Sequence, residues 1–138
     1  MITSYDYDAP MDEYGMPAEP KYSHLKALHE VLFKFESEIV SNFPHYVRLG
    51  AMTEAHLFGD YQNGNGLAMI SNSLTQDVRV KLFNHAFNLD RWSVMFVQGP
   101  ASRPTILFNT AHVTAAKTQQ VFEPIAFAQL VSHSYFHN

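Results

Sequence analysis

The chain has 138 residues, of which 46% are hydrophobic, 14% aromatic and 16% charged, and its formal net charge at pH 7 is −4. This length fits one small globular domain, and the low charge content excludes an intrinsically disordered chain and a coiled coil. The nine lysines and arginines form no cluster, no apolar run approaches roughly 18 residues, and there is no cysteine, so we expect no nucleic-acid partner, no membrane partner and no disulfide or thiolate metal site.

The first residues predict a short strand that ends abruptly. The segment 2–8 alternates in polarity, and an Ala-Pro pair follows it and stops the pattern. Because successive side chains of a strand point to opposite faces, Tyr5 and Tyr7 share one face, and Asp6 and Asp8 share the other.

A loop and a helix come next. Three more carboxylates, Gly15 and Pro17 predict a loop over residues 11–20. Apolar side chains then recur at spacings of three and four, opposite a charged face, which predicts a helix over 21–37 with Pro20 beside its first turn. The apolar set is Leu25, Leu28, Leu32, Phe35 and Ile39.

After Asn42 the pattern changes to short apolar runs separated by turn residues, which is typical of antiparallel strands. Arg79 and Lys81 alternate with valine and leucine, so one face of that strand should be in water. Asn-Gly repeats at 63–66 and the pair 84–85 predict hairpin turns. The predicted strands are 54–58, 67–71, 78–83, 87–89, 92–97 and 105–109.

These patterns divide the chain into three parts, 1–43, 44–114 and 115–138, and we expect the last to be an incomplete or poorly ordered tail. One strand, one helix and an antiparallel sheet do not obviously close a single core. The sequence therefore predicts an α+β fragment.

Acidic and aromatic residues are densest near the start of the chain. Asp6, Asp8, Asp12 and Glu13 offer carboxylates for acid–base chemistry on a sugar or phosphate. The alternative is an acidic loop that caps a helix or faces solvent. The spacing lacks the later glycine and glutamate of a calcium-binding loop, so no metal site is assigned here.

The eight histidines raise the alternative of a zinc-dependent regulator. His24 and His29 are five residues apart and should point to different helix faces, and His133 and His137 share a face only if the tail is helical. No third ligand is evident, so we interpret these histidines as ordinary surface or half-buried residues and expect no cofactor.

Two roles are possible for Trp92. It could stack against a sugar ring, or it could fill the core of the sheet, which is the more common place for a large aromatic residue. We predict the core position for Trp92. The same filling role is predicted for Phe83, Phe87, Phe96 and Phe108.

The order of several motifs resembles the β-galactosidases of glycoside hydrolase family 35, in particular the plant-type branch. The similarity runs from Met1 to about Thr114. Its most specific block is Thr3-Ser4-Tyr5-Asp6-Tyr7-Asp8-Ala9-Pro10, and further blocks are Asp12-Glu13-Tyr14-Gly15, Pro20-Lys21-Tyr22-Ser23-His24-Leu25-Lys26, Glu54-Ala55-His56, Trp92-Ser93-Val94 and Phe108-Asn109-Thr110-Ala111-His112-Val113.

The resemblance implies that the chain contains the last strand and helix of a (β/α)₈ TIM barrel, followed by the start of a small antiparallel β domain. Sites of such barrels lie on loops after the strands. By similarity, Tyr7 and Tyr5 contact the galactose, while Asp6 and Asp8 support the loop that carries them. The implied partners are a β-galactoside or galactan and the missing N-terminal portion of the barrel.

The resemblance also indicates which characteristic residues of the family are absent from this sequence. Retaining glycosidases use two carboxyl groups, which family members carry as glutamates on earlier barrel strands. None of the glutamates of this segment matches those motifs, so no catalytic residue is assigned. Cysteines that plant-type relatives often have near Gly66 and Pro100 are missing.

We therefore expect a fragment of a β-galactosidase that is inactive alone. The alternative is a stand-alone carbohydrate-binding or structural β module. Family members are secreted, in the cell wall, or in vacuoles or lysosomes, but the residues themselves give no location.

Overall fold

The computed structural model describes residues 7–41 and 43–113. These residues are mostly β, with two helices followed by seven strands, and all strand pairs are antiparallel. The predicted antiparallel pairing of the strands is therefore confirmed. The elements are α1 Lys21–Lys34, α2 Glu36–Ser41, β1 His45–Arg48, β2 Thr53–Phe58, β3 Leu67–Asn72, β4 Val78–Leu82, β5 His85–Leu89, β6 Ser93–Gln98 and β7 Thr105–Asn109.

Five strands form the main sheet, in the order β1-β2-β3-β6-β7. The hairpin of β4 and β5 lies between β3 and β6 in the chain but forms a separate two-stranded sheet. In β4, Val80 and Leu82 are buried while Arg79 and Lys81 are exposed. The predicted wet face of this strand is thus confirmed, because alternate side chains point to opposite faces.

The first core lies between the main sheet and the β4–β5 hairpin. Inward side chains of β2, β3 and β6 meet those of the hairpin, so each sheet covers an apolar face of the other. Its buried members are Ala55, Leu57, Tyr61, Ala68, Ile70, Val80, Leu82, Phe87, Leu89, Met95, Val97 and Ala101.

The second core lies on the opposite face of the main sheet, under the helices. Phe35 is only 3% exposed and clusters with Phe58, Leu67, Phe96 and Phe108. Side chains of α1 and α2 complete this cluster, so the sheet supplies a partner for one flank of the helix. The helical members are Ala27, Leu28, Val31, Leu32 and Ile39.

The predicted helix over 21–37 is interrupted at Phe35. There the backbone leaves helical angles, and the Phe35 N–H donates to the carbonyl oxygens of both Val31 and Leu32. A helix resumes as α2, which extends four residues beyond the predicted end. The break coincides with the most deeply buried side chain of this segment, since the aromatic ring is directed into the second core.

Two aromatic residues do not occupy the core positions predicted for them. Trp92 is 67% exposed, and Phe83 is 39% exposed. Both have positive φ angles, 50° and 52°, in turns that lie outside the strands. The prediction was wrong for these two because each lies one residue outside the strand that actually forms, β4 for Phe83 and β6 for Trp92, and it is confirmed for Phe87, Phe96 and Phe108.

The sequence did not predict β1, a short strand at the edge of the sheet. Its residues are mostly exposed and lack a regular alternation of polar and apolar side chains. Within residues 7–41 and 43–113, neither helix is long and apolar enough to cross a membrane. Most of the predicted strand 2–8 and the predicted tail 115–138 lie outside the described residues.

Candidate functional site

Two of the four residues expected at a sugar pocket are described, Tyr7 and Asp8. Their φ angles are 37° and 63°, in a left-handed region that non-glycine residues rarely adopt and that occurs often at functional sites. The Tyr7 side chain is 84% exposed, so its ring and hydroxyl are accessible. Tyr5 and Asp6 lie outside the described residues, and the role of all four in sugar binding stays a prediction.

Asp8 is held at the start of α1. The Lys21 ammonium group donates hydrogen bonds to the Asp8 carbonyl oxygen and to its carboxylate Oδ2. The carboxylate is largely exposed, so the ion pair adds little to stability. Its structural effect is to fix the residue that follows Tyr7 against the first turn of the helix.

The acidic loop after Pro10 is held together by hydrogen bonds from its backbone N–H groups to the Asp12 side chain. The Asp12 carboxylate Oδ1 accepts hydrogen bonds from the N–H groups of Tyr14 at 2.9 Å and Met16 at 2.8 Å. Gly15 adopts a φ of 79° that completes the turn. Asp12 is therefore engaged in shaping the loop, in line with the structural alternative that the sequence left open.

A second candidate surface is the flank of α1 that faces away from the sheet. It forms an open groove of about 560 Å³, which continues into a hollow of about 420 Å³ along α2. Phe33 lines both and is 80% exposed. We call this surface the open flank; its main side chains are Tyr22, Leu25, His29, Phe33 and Val40.

Sequence reasoning missed the open flank because it assigned the helix a single apolar face. Leu28, Leu32 and Phe35 do face the sheet. Leu25 and Phe33, however, are eight residues apart within α1 and share a second face, which Val40 of α2 adjoins. Counting the helical period for every apolar residue would have found it. Contiguous exposed apolar surface marks an interaction site more often than single exposed residues do.

The histidines of α1 point to different faces, as predicted. His24 Nε2 lies 3.2 Å from the carbonyl oxygen of Thr110, and its ring lies 4.8 Å from that of Phe108, centre to centre. His29 lies on the open flank. In the part of the chain that the structure describes, no three His, Asp or Glu side chains come together as metal ligands, and His133 and His137 lie outside it.

Comparison with known proteins identifies similar chains. Residues 1–32 match the family of glycosyl hydrolases family 35. The chain is 37% identical over 119 residues to Beta-galactosidase 6 of Oryza sativa subsp. japonica, and 37% identical over 120 residues to Beta-galactosidase 10 of Arabidopsis thaliana. Each alignment covers 86% of this chain but only 14% and 16%, respectively, of the two relatives.

The chain thus spans about one seventh of the length of these curated relatives. The family match covers the Tyr-Asp-Tyr-Asp block, the acidic loop and most of α1. The two longer alignments must also include strands of the β domain, because 119 matched residues exceed what precedes β1. Residues 1–32 therefore match glycosyl hydrolase family 35, and the similarity to two plant proteins named β-galactosidase extends over most of the chain.

Proposed function

We propose that this chain is the segment of a β-galactosidase that ends the catalytic (β/α)₈ barrel and begins the β domain after it. The parent enzyme hydrolyses terminal non-reducing β-D-galactose residues with retention, using two carboxyl groups about 5 Å apart as acid/base and nucleophile. The similarity to two proteins named β-galactosidase over 86% of the chain supports this reaction class.

The open flank is the observation that carries the proposal. A helix that is apolar on two sides is typical of one that packs between two layers. One side of α1 packs on the main sheet. The other side carries exposed Phe33 and half-buried Leu25, and Val40 of α2 extends this surface along a second, adjoining hollow. Polypeptide of the barrel that precedes this segment is the proposed cover.

Tyr7 is the proposed contact with galactose. It follows the predicted strand 2–7, and barrel enzymes place their sites at the C-terminal ends of strands. Its exposed ring and hydroxyl suit a sugar, which needs both an apolar surface and a hydrogen-bond partner. The ion pair of Asp8 with Lys21 limits the movement of the backbone next to Tyr7.

The chain by itself should not turn over substrate. In the proposed parent, both carboxyl groups come from barrel strands that precede this segment. Incubation of the purified chain with an aryl β-galactoside should give no more product than a heat-denatured sample does. Turnover clearly above that background would contradict the proposal that both catalytic carboxyl groups come from those preceding strands.

A chimera tests the positive part of the proposal. The 119 aligned residues of this chain would replace the matching part of the rice relative, and hydrolysis of the same aryl galactoside would be measured. We expect activity in the chimera, and Tyr7→Phe should lower kcat/KM about tenfold because a hydrogen bond to the sugar is lost.

Tyr14→Phe is the matched control, since Tyr14 is also 84% exposed and lies in the neighbouring loop. It should change kcat/KM less than twofold. An active chimera in which both variants behave like the unmodified protein would remove Tyr7 from the sugar pocket. A folded but inactive chimera would contradict the assignment of this segment to the barrel.

A further inference from the structure

The open flank carries two oppositely charged side chains, one toward each end. Lys26 lines the first hollow and Glu36 lines the second. Both side chains are exposed, and within residues 7–41 and 43–113 neither forms a salt bridge. An apolar surface with opposite charges at its two ends fits a partner that presents the same charges in reverse order.

The residues along this surface have the spacing of a helix-pairing seam. They follow one another at intervals of four, three, four, three and four, which is the pattern of a two-helix coiled coil. All of them line one or both hollows, and they are Tyr22, Lys26, His29, Phe33, Glu36 and Val40.

The break at Phe35 does not interrupt this seam. The Phe35 N–H still donates to the carbonyl oxygen of Val31, and the Ile39 N–H donates to the carbonyl oxygen of Phe35 at 3.0 Å. Hydrogen bonds of helical spacing therefore run through the break, and the two hollows share His29 and Phe33. The open flank is one continuous surface along α1 and α2.

A second copy of this chain presents the required charges. Two copies related by a two-fold axis place their helices antiparallel, so that a contact between two residues occurs twice. With the axis beside Val31, Lys26 of each copy lies opposite Glu36 of the other, because both are five residues from Val31. A parallel pair would instead place like charges together.

The same axis also pairs the apolar side chains. Phe33, which is 80% exposed, faces His29 of the second copy, and Val40, which is 78% exposed, faces Tyr22. One register therefore pairs both charges and covers the most exposed apolar side chains of the seam. We propose that the 138-residue chain forms a two-fold symmetric dimer through the open flank, with Lys26 of each copy paired with Glu36 of the other.

This inference goes beyond the proposed function, since it concerns the chain by itself. Polypeptide of the barrel, where it is joined, would compete with the second copy for the same surface. Sedimentation velocity of the full chain over a range of concentrations measures the association. We expect a monomer–dimer equilibrium with Kd about 50 μM, since a short seam that contains polar residues makes a small interface.

Charge exchange tests the register. Lys26→Glu should weaken dimerisation about tenfold, because two attractive contacts become repulsive, and Glu36→Lys should do the same. The double variant with both changes should dimerise like the unmodified chain. Lys81→Glu is the matched control, because it makes the same charge change at an exposed position of β4, and it should leave the association unchanged.

Two further variants make the test specific. Phe33→Ser should remain monomeric while circular dichroism shows it to be folded. Lys26→Glu combined with Glu30→Lys should stay weakened, since Glu30 does not face Lys26 in this register. The proposal is overturned if the chain stays monomeric well above the expected Kd, if it associates beyond dimers, or if Glu30→Lys restores the dimer in place of Glu36→Lys. A monomeric chain together with an active chimera would refute this inference and leave the proposed function standing.

Discussion

Asn72 is a buried amide that joins three segments of the β domain. Its amide nitrogen donates to the carbonyl oxygens of Gln76 at 3.0 Å and Asp90 at 2.9 Å, and its Oδ1 accepts from the Leu74 N–H at 3.0 Å. Buried backbone groups need such partners when the strand ladder ends. This one side chain therefore completes the hydrogen bonding of the loops after β3 and β5.

Replacing Asn72 with alanine should lower the free energy of unfolding by about 2 kcal/mol, because the backbone groups of both loops would lose their partner. Urea denaturation followed by circular dichroism measures the change. Asn88→Ala, at an exposed position of β5, is the control and should stay within about 0.5 kcal/mol. Equal stability of the two variants would contradict the role given to Asn72.

Tyr61 is the second residue whose environment has a measurable effect. Its side chain is 2% exposed and stacks against Phe83 at 6.0 Å between ring centres. Burial raises the pKa of Tyr61 from 10.0 to about 12, because desolvation disfavours the phenolate. The folded state therefore holds this proton more tightly than the unfolded chain does.

That difference predicts how stability depends on alkaline pH. The contribution of neutral Tyr61 is complete below about pH 10 and is lost as the pH rises through about 12. Between about pH 9 and pH 11 the unmodified chain should lose about 1 kcal/mol more than Tyr61→Phe does, since phenylalanine cannot ionise. If denaturant titrations show that the stabilities of the two proteins fall equally with pH, this prediction is contradicted.

At the scale of elements, α1 has two apolar flanks with opposite surroundings. Phe35, where the helix breaks, is buried in the second core, whereas Phe33, two residues earlier, lies on the open flank. The same residue type therefore serves packing within this chain at one position and exposes apolar surface at the other. This contrast gives a matched pair of substitutions.

Phe35→Ala should cost about 3–4 kcal/mol of stability, because a large buried ring is replaced by a cavity. Phe33→Ala should change stability by less than about 0.5 kcal/mol. Guanidinium denaturation midpoints compare the two, and Phe35→Leu gives an intermediate value if the alanine variant is too unstable to measure. A larger loss for Phe33 than for Phe35 would show that the flanks are assigned incorrectly.

The strands also show which parts of the fold can be predicted from the alternation of polar and apolar residues. Alternation located β2, β3, β4 and β7 to within a residue, because their inward and outward side chains differ clearly. It misplaced Trp92, since an aromatic residue directly before an apolar run cannot be distinguished from the first residue of the strand by hydropathy. Its positive φ follows from the hydrogen bonds of the surrounding loops, which hydropathy does not encode.

Only part of the candidate functional site could be predicted from the sequence, because hydropathy patterns do not show which distant residues come into contact. The Tyr7 block was found by its resemblance to a family. The side chains of Asp90, Asn109 and His112, by contrast, contact one another although they are up to 22 residues apart in the chain. A sequence pattern of short period contains no such information.

At the scale of the molecule, residues 7–41 and 43–113 form three layers, namely the helices, the main sheet and the β4–β5 hairpin. The helices cover Phe58, Phe96 and Phe108 on one face of the sheet. The predicted division after residue 43 separates the helical layer from the sheet. The stability of the β part alone therefore depends on how much the contact between the helices and the sheet contributes to folding.

A chain that begins at residue 44 should melt at a lower temperature and bind a hydrophobic dye, because one face of the sheet would be exposed to water. A chain that begins at Lys21 keeps both helices and serves as the control. Differential scanning fluorimetry compares the two. If both melt alike and neither binds the dye, the β part is an independent domain and the division is correct.

Two glycines hold the loop between β2 and β3 against the end of β6. The Gly99 N–H donates to the carbonyl oxygen of Gly66 at 2.8 Å, and a Cβ on Gly66 would lie 2.4 Å from the Tyr61 nitrogen. This backbone contact is where the resemblance expects cysteines, and this sequence has none. Reducing agents should therefore leave the protein unaffected, and a bacterial cytoplasm is a suitable place to produce it, with no oxidative refolding step.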